Sequence, residues 1–137
     1  MDLYPSFTHL SRREREGRDY RIRWRTGDSG VAIVAPHGGG IERGTSEVAD
    51  GIAGREHGFY AFEGLKSVGN HVLHLSSNRF DEPQALRLVR GIRARAVGAE
   101  LWVAENAVCG TRPLGPAQAY VAVPTLCGYP ARGTRGT

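Results

Sequence analysis

One histidine and one glutamate, His37 and Glu42, flank a glycine-rich turn, and their side chains can bind a metal ion. The three glycines of residues 38–40 follow His37 and allow the backbone to turn sharply and to approach a ligand closely. An imidazole and a carboxylate that meet across such a turn supply two of the three protein ligands of a catalytic zinc site. Zinc lowers the pKa of its bound water and polarises a carbonyl group, which suits amide hydrolysis.

Two other interpretations of the turn stay open at this point. A glycine-rich connection between a strand and a helix can bind phosphate at the helix N-terminus. The sequence lacks the GxxxxGK[ST] pattern, however, and Glu42 would repel an anion. The turn can also be only a tight connection, with His37 in a local hydrogen bond.

The elements on either side of the turn predict how it is positioned. Residues 31–35 form a short apolar run rich in β-branched side chains, which is typical of a strand buried on both faces. Thr45 is placed to cap a helix that runs to about Ala53 and stops at Gly54. Ligands of open α/β sheets bind at the carboxyl ends of strands, where we expect His37 to emerge.

Residues 19–26 alternate between apolar and basic side chains, which predicts a half-buried strand with a solvated row of arginines. A nucleic-acid-binding stripe is the alternative, but it requires aromatic side chains on the same face as the basic ones. The aromatic and aliphatic positions are Tyr20, Ile22 and Trp24, and the basic positions are Arg21, Arg23 and Arg25.

The remaining pattern predicts further strands and helices. Short strands are expected over residues 59–62, 72–76 and 101–104, and a short helix over residues 7–15. A second long helix begins with Pro83 at its first position. We expect the apolar residues of the two long helices to share one face in each: Val48 and Ile52 in the first, and Leu86, Val89 and Ile92, facing inward, in the second.

Strands that alternate with helices predict an α/β fold. The 137 residues suit one domain of ordinary size. We expect an α/β domain over residues 1–109 and an irregular or disordered tail over residues 110–137, where four prolines interrupt any regular pattern. The C-terminal part is therefore predicted to be truncated or irregular.

The net charge of +4 is unevenly placed along the chain. Residues 1–90 hold 13 basic and 12 acidic side chains, whereas residues 91–137 hold five arginines and two glutamates. The apolar stretches are too short to span a bilayer, and no secretory signal is visible at the N-terminus. Cys109 and Cys127 form no CxxC pair. We expect a cytoplasmic protein with no membrane partner, which cell lysis can release.

The turn lies within a longer motif that is recognisable. Residues 35–47, APHGGGIERGTSE, closely resemble the signature of the phage and bacterial poly-γ-glutamate hydrolase family, also known as phage-related replication proteins. The resemblance covers roughly residues 4–90. Its further matches are FYAFEG at residues 59–64, GN at 69–70, LHL at 73–75 and FDEP at 80–83.

The resemblance implies a zinc-dependent hydrolase of γ-linked polyglutamate with a carboxypeptidase-like, three-layer α/β/α fold and a mixed sheet. It implies that His37 and Glu42 are the first two zinc ligands. Arg79 and Asn70 become candidates for contacts to a substrate carboxylate or to the developing oxyanion, since the planar fork of arginine binds carboxylates bidentately. The alternatives are a surface charge for Arg79 and a turn residue for Asn70.

The C-terminal part departs from the family pattern. The family has a strand ending in His-Gly that completes the zinc site, and a late glutamate as general acid/base, but residues 101–106 contain no histidine. Neither Glu100 nor Glu105 lies in a matching motif, so the catalytic residue is unknown.

Three explanations of this departure stay open. The chain leaves the family's reading frame near Gly91, or His74 or His71 acts as third ligand, or the protein is an inactive relative. In an extended run His71 and His74 point to opposite faces, so only one of them would serve. His74 is the preferred one, and its alternative role is a partly buried strand histidine. We expect weak or no hydrolysis of a polyglutamate substrate. The rival functions are a phage-associated nucleic-acid-binding protein, less favoured because residues 1–90 are nearly neutral, and a decayed domain without activity.

Overall fold

The computed structural model describes residues 1–76, 79–95, 100–104, 111–113 and 118–121. A mixed three-stranded sheet in the order β1-β3-β2 forms the centre of the fold. Its strands are β1 (Tyr20–Arg25), β2 (Ala32–Gly39) and β3 (Gly58–Gly64). The central strand β3 pairs antiparallel with β1 and parallel with β2. The predicted α/β fold with a mixed sheet is confirmed.

Helices cover both faces of this sheet. They are α1 (Phe7–Leu10), α2 (Thr45–Ala53), a 3₁₀ helix (Asn70–Leu73) and α3 (Pro83–Arg95). Ile33 on β2 packs in one cluster with α2, and its neighbour Val34 packs in the other cluster with α1, α3 and the 3₁₀ helix. Successive side chains of a strand point to opposite faces, so β2 is buried on both sides as its apolar run predicts. The result is three layers, α/β/α.

The arginine row of β1 differs from the solvated face that its alternation predicts. Arg21 and Arg23 form ion pairs with Glu63, a buried carboxylate on β3. Arg23 and Arg25 pair with Asp50 on α2 at 2.6 and 2.7 Å. The row therefore lies on the α2 side of the sheet and faces acidic groups of its own fold. This pairing removes the observation that motivated a nucleic-acid-binding stripe.

The first long helix buries a different face from the one its large apolar residues suggest. Ala49 and Ala53 are buried against the sheet, while Val48 and Ile52 are exposed. Small side chains allow the helix to approach the sheet closely, where Phe59 already fills the space between them. Helical spacing alone predicts that apolar residues share a face, but not which face the sheet accepts.

The second long helix also buries residues one position away from those expected to face inward. Its buried residues are Ala85 and Leu88, and Leu86 and Val89 are only partly buried. The prediction that Leu86 and Val89 point inward is therefore wrong in its phase. The side chain of Ile92 lies outside the described residues.

One of the two long helices begins as predicted, and the other begins one residue earlier. Gly44, with a φ of 87°, is the residue before α2, and Thr45 is the first helical residue, so the predicted Thr45 cap is wrong by one position. Pro83 is the first residue of α3, as predicted. The buried Glu82 carboxylate accepts hydrogen bonds from the backbone N–H groups of the two residues after Pro83, at 2.9 and 2.8 Å. This carboxylate satisfies N–H groups that have no partner within the helix.

The helix predicted over residues 7–15 ends at Leu10. The chain then turns so that Glu14 accepts a hydrogen bond from the Tyr4 hydroxyl at 2.7 Å and pairs with Lys66 at 2.7 Å. These contacts to distant residues decide where α1 ends.

A second three-stranded sheet lies in the C-terminal part, with the order β5-β4-β6. Its strands are β4 (Glu100–Ala104), β5 (Thr111–Pro113) and β6 (Gln118–Val121). The strand predicted over residues 101–104 is confirmed. The part predicted as an irregular tail, residues 110–137, contains two of these strands and otherwise lies outside the described residues. The domain boundary at residue 109 stays a prediction.

No helix in the part of the chain that the structure describes combines the length and the apolar character that crossing a bilayer needs.

Candidate metal centre

The glycine-rich turn begins inside β2 rather than after it. The strand continues past the apolar run to Gly39, and its pairing with β3 shifts register between Ala35 and Gly38. A register shift of this kind is a bulge, which re-aims the side chain within it. His37 lies in this bulge and is 4% exposed. Gly39 has a φ of 61°, a left-handed conformation that favours glycine.

The turn brings His37 and Glu42 together with a third residue, His74. Each of the three offers a ligand atom, and these atoms all lie within 4.8 Å of one another. The Nδ1 atom of His37 is 3.8 Å from Oε1 of Glu42. The rings of His37 and His74 stack with centroids 4.2 Å apart at an angle of 18°. Two histidines and one glutamate are a common ligand set of catalytic zinc.

Two buried atoms of this cluster have no hydrogen-bond partner in the part of the chain that the structure describes. They are Nδ1 of His37 and Oε2 of Glu42. Buried polar atoms are nearly always hydrogen-bonded, so such an atom calls for a specific explanation. A divalent cation explains both, because it accepts a lone pair from a neutral imidazole and from a carboxylate. The residues present therefore fit a metal ion.

The opposite nitrogen of His37 is held by the backbone. Nε2–H donates to the carbonyl oxygen of Leu75 at 2.7 Å. This bond assigns the proton to Nε2 and leaves the Nδ1 lone pair directed at the cluster. Burial lowers the pKa of His37, and the neighbouring His74 lowers it too, although Leu75 and Glu42 oppose the shift. The imidazole is therefore neutral at pH 7, the state in which it binds a metal.

The strand predicted over residues 72–76 is wrong, but His74, the histidine preferred as a substitute third ligand, does lie in the cluster. The segment begins instead with the 3₁₀ helix, which follows Gly69 at a φ of 80°. His74 comes directly after this helix and is partly buried, whereas His71 is exposed. The expectation of opposite strand faces for the two histidines no longer applies. The glycine-asparagine pair before the segment was the sequence signal for a turn.

Asn70, a predicted substrate contact, is buried and uses its side chain within the fold. Its Oδ1 accepts the Lys66 N–H at 2.9 Å, and its Nδ2 donates to the Lys66 carbonyl. The amide also packs directly against Gly40 and Gly64, so that a Cβ at either glycine would overlap it. Asn70 thus fastens the glycine-rich turn to the end of β3, and a contact to substrate stays a prediction.

Replacing Asn70 with alanine is expected to lower the free energy of unfolding by about 1–3 kcal/mol, since two backbone groups lose their partner. Urea denaturation of the wild type and of Asn70→Ala measures this loss. Asn70→Asp keeps the acceptor but sets a carboxylate oxygen against the Lys66 carbonyl oxygen, so it is expected to be at least as destabilised as Asn70→Ala. An unchanged unfolding midpoint in Asn70→Ala would contradict the fastening role.

Arg79, the other predicted substrate contact, is exposed and precedes α3. Its backbone N–H donates to the Ser76 carbonyl at 2.7 Å. The structure therefore places it after the segment that carries His74, and its role toward a substrate carboxylate stays a prediction.

An α/β fold that brings two histidines and one glutamate together, one of them from the end of a parallel strand, is typical of zinc hydrolases. The sequence matches the poly-gamma-glutamate hydrolase family over residues 4–98, and the chain belongs to this family.

The relatives of this chain include two proteins of Bacillus subtilis (strain 168). The UPF0714 protein YndL is 48% identical over 87 residues, which cover 64% of this chain and 34% of YndL. The SPbeta prophage-derived UPF0714 protein YoqZ is 46% identical over 88 residues, 64% of this chain and 31% of YoqZ. The chain thus spans about a third of the length of these curated relatives.

Two solved structures share the fold. A bacteriophage poly-gamma-glutamate hydrolase matches with a TM-score of 0.60 and 35% identity, over 65% of this chain and 44% of that one. The zinc-free apo form of YndL matches with a TM-score of 0.61 and 47% identity, over 65% of this chain and 43% of that one.

Proposed function

We propose that this chain is the zinc-binding part of a hydrolase that cleaves poly-γ-glutamate, with His37, Glu42 and His74 as the zinc ligands. The observation that carries the proposal is the pair of buried atoms without partners, His37 Nδ1 and Glu42 Oε2. The family and the zinc-free form of its relative YndL support zinc as the metal. The position of His74 supports the second of the three explanations for the missing His-Gly motif.

Zinc, when bound, would supply a Lewis acid that polarises an amide carbonyl and lowers the pKa of a water molecule. The residues of this chain supply the support for it. The backbone of Leu75 orients His37, and burial keeps this imidazole neutral. The bulge in β2 and the turn after it hold Glu42 beside His37.

The proposed substrate is a polymer of γ-linked glutamate, a chain of carboxylates. Recognition of such a polyanion requires cations that are not already paired. Arg79 is exposed and lies close in the chain to His74, so we propose it as a contact to a substrate carboxylate. The arginines of β1 are less suited, because Glu63 and Asp50 already pair with them.

Hydrolysis by such an enzyme requires both a bound metal and a general acid/base. The described residues offer a complete set of three metal ligands, but no residue is assigned as general acid/base. Loss of such a group lowers the rate about 10²–10⁴-fold. We therefore expect the chain to bind zinc and to hydrolyse polyglutamate weakly or not at all.

Calorimetric titration of the full chain with zinc tests the first part, and one ion per chain is the expected result. Release of glutamate oligomers from poly-γ-glutamate tests the second part, with the bacteriophage hydrolase as the positive control. A chain that binds no zinc at millimolar concentration contradicts the proposed function. Cleavage as fast as that of the phage enzyme contradicts the expected loss of activity.

A further inference from the structure

A buried carboxylate near the N-terminus contacts the candidate metal centre from outside. The side chain of Asp2 is 4% exposed, and its Oδ1 lies 2.9 Å from Nδ1 of His74. Its other oxygen, Oδ2, accepts the backbone N–H of Ser76 at 2.8 Å. Both oxygens of Asp2 are thus engaged by the segment that carries His74.

This contact determines which nitrogen of His74 carries the proton. An ionised carboxylate only accepts hydrogen bonds, so Nδ1 of His74 must donate. The second bond, from Ser76, prevents the carboxylate from rotating away. The two oxygens of Asp2 face N–H groups of Ser76 and His74, and hydrogen bonds of this kind favour the ionised carboxylate. Nε2 of His74 is then the nitrogen with a free lone pair.

The two histidines are oriented by the same kind of contact, a hydrogen bond from one ring nitrogen to an acceptor of the fold. Nε2–H of His37 donates to the Leu75 carbonyl, and Nδ1–H of His74 donates to Asp2. Each ring therefore has one nitrogen committed to an acceptor and one available to the cluster. Acceptors of this type fix the tautomer and the orientation of a metal-binding histidine.

We propose that Asp2 is a positioning residue of the metal centre, which holds His74 in the Nδ1–H tautomer with Nε2 available to the metal. This inference rests on the proposed function, in which His74 is a zinc ligand. It assigns a specific task to the N-terminal segment, which precedes the first residue of the family match.

A second aspartate offers a control that distinguishes positioning of His74 from attachment of the N-terminal residues to the fold. Asp81 accepts the backbone N–H of Phe7 at 2.6 Å and lies 3.4 Å from the Thr8 hydroxyl. It attaches residues 7 and 8 to the fold but contacts none of the three candidate ligands among the described residues. Asp81→Asn is therefore the matched control for Asp2→Asn.

The test compares zinc affinity in the full chain for the wild type, Asp2→Asn and Asp81→Asn. Asparagine that keeps the Ser76 contact turns its amide N–H₂ toward His74, which favours the proton on Nε2. Asp2→Asn is expected to weaken zinc binding about 10–100-fold, as removal of an outer-shell acceptor does. Asp81→Asn is expected to lower stability and to leave zinc affinity unchanged.

Nitrogen NMR of the metal-free protein reports the tautomer of His74 directly. We expect the Nδ1–H form in the wild type and a shift toward Nε2–H in Asp2→Asn. The Nε2–H form in the wild type would overturn the inference even if the variant failed to fold. Equal zinc affinity in the wild type and Asp2→Asn would overturn it and leave the proposed function intact. A wild type that binds no zinc would overturn both.

Discussion

His37→Ala and His74→Ala are each expected to weaken zinc binding about 100-fold. Structural zinc sites with four ligands bind with about 10–16 kcal/mol, so one ligand contributes roughly 3 kcal/mol, or about two powers of ten. Glu42→Gln keeps the size of the side chain and removes its charge, and we expect a similar loss. Competition with a chromophoric chelator measures these affinities, because the tightest of them exceed the range of direct calorimetry.

The control for the histidine variants is His9→Ala. His9 is exposed on α1 and contacts Ser6 rather than the cluster. Its loss is expected to leave zinc affinity unchanged. Binding by His37→Ala that equals binding by the wild type would show that the metal lies elsewhere. If only His74→Ala binds as the wild type does, His37 and Glu42 stay as ligands and the third ligand must be sought outside the described residues.

Half of the candidate site follows from the sequence because it is local. His37 and Glu42 belong to one turn, and the apolar strand before it and the helix after it are both strongly patterned. The helix predicted to follow a Thr45 cap and to run to about Ala53 spans Thr45–Ala53, so it begins one residue earlier and ends where expected. Local geometry then decides how far apart the imidazole and the carboxylate lie.

The other half depends on contacts that local patterns do not encode. His74 enters the cluster because a 3₁₀ helix occupies the start of the segment that we predicted as a strand. Asp2 is separated from His74 by most of the described chain, and nothing in the first residues of the sequence indicates a buried carboxylate. Its two partners, His74 and Ser76, are known only once the fold is assembled.

The helix faces show a similar division between periodicity and packing. The 3.6-residue period predicted correctly that the two long helices cover the sheet. It grouped Val48 and Ile52 on one face of α2 without deciding whether that face meets the sheet, and α2 buries Ala49 and Ala53 and exposes Val48 and Ile52. Because alanine is small, its burial lets the helix backbone approach the sheet closely. The backbone then makes van der Waals contacts that a prediction based on large apolar side chains does not include.

Gly38→Ala is expected to destabilise the fold by about 2–4 kcal/mol. A Cβ at this position would overlap the hydroxyl of Ser46 and lie 3.1 Å from both the Phe62 carbonyl oxygen and Cγ of Glu63. Ser46 is fully buried, and its hydroxyl accepts the N–H of Gly39 at 3.2 Å. Overpacking costs about 1–3 kcal/mol, and loss of the displaced hydrogen bond adds about 1 kcal/mol.

Thermal and urea unfolding of Gly38→Ala measure this effect, and Gly51→Ala is the matched control. Gly51 lies within α2, where a Cβ meets no atom within 4 Å, so alanine there is expected to stabilise the protein by up to about 1 kcal/mol. Adding Ser46→Ala to Gly38→Ala removes the overlapping hydroxyl, so the double variant should be less destabilised than the sum of the two single changes. If Gly38→Ala unfolds at the same midpoint as Gly51→Ala, the backbone beside His37 is not held against α2 and β3, and the metal ligands lose the support on which their geometry depends.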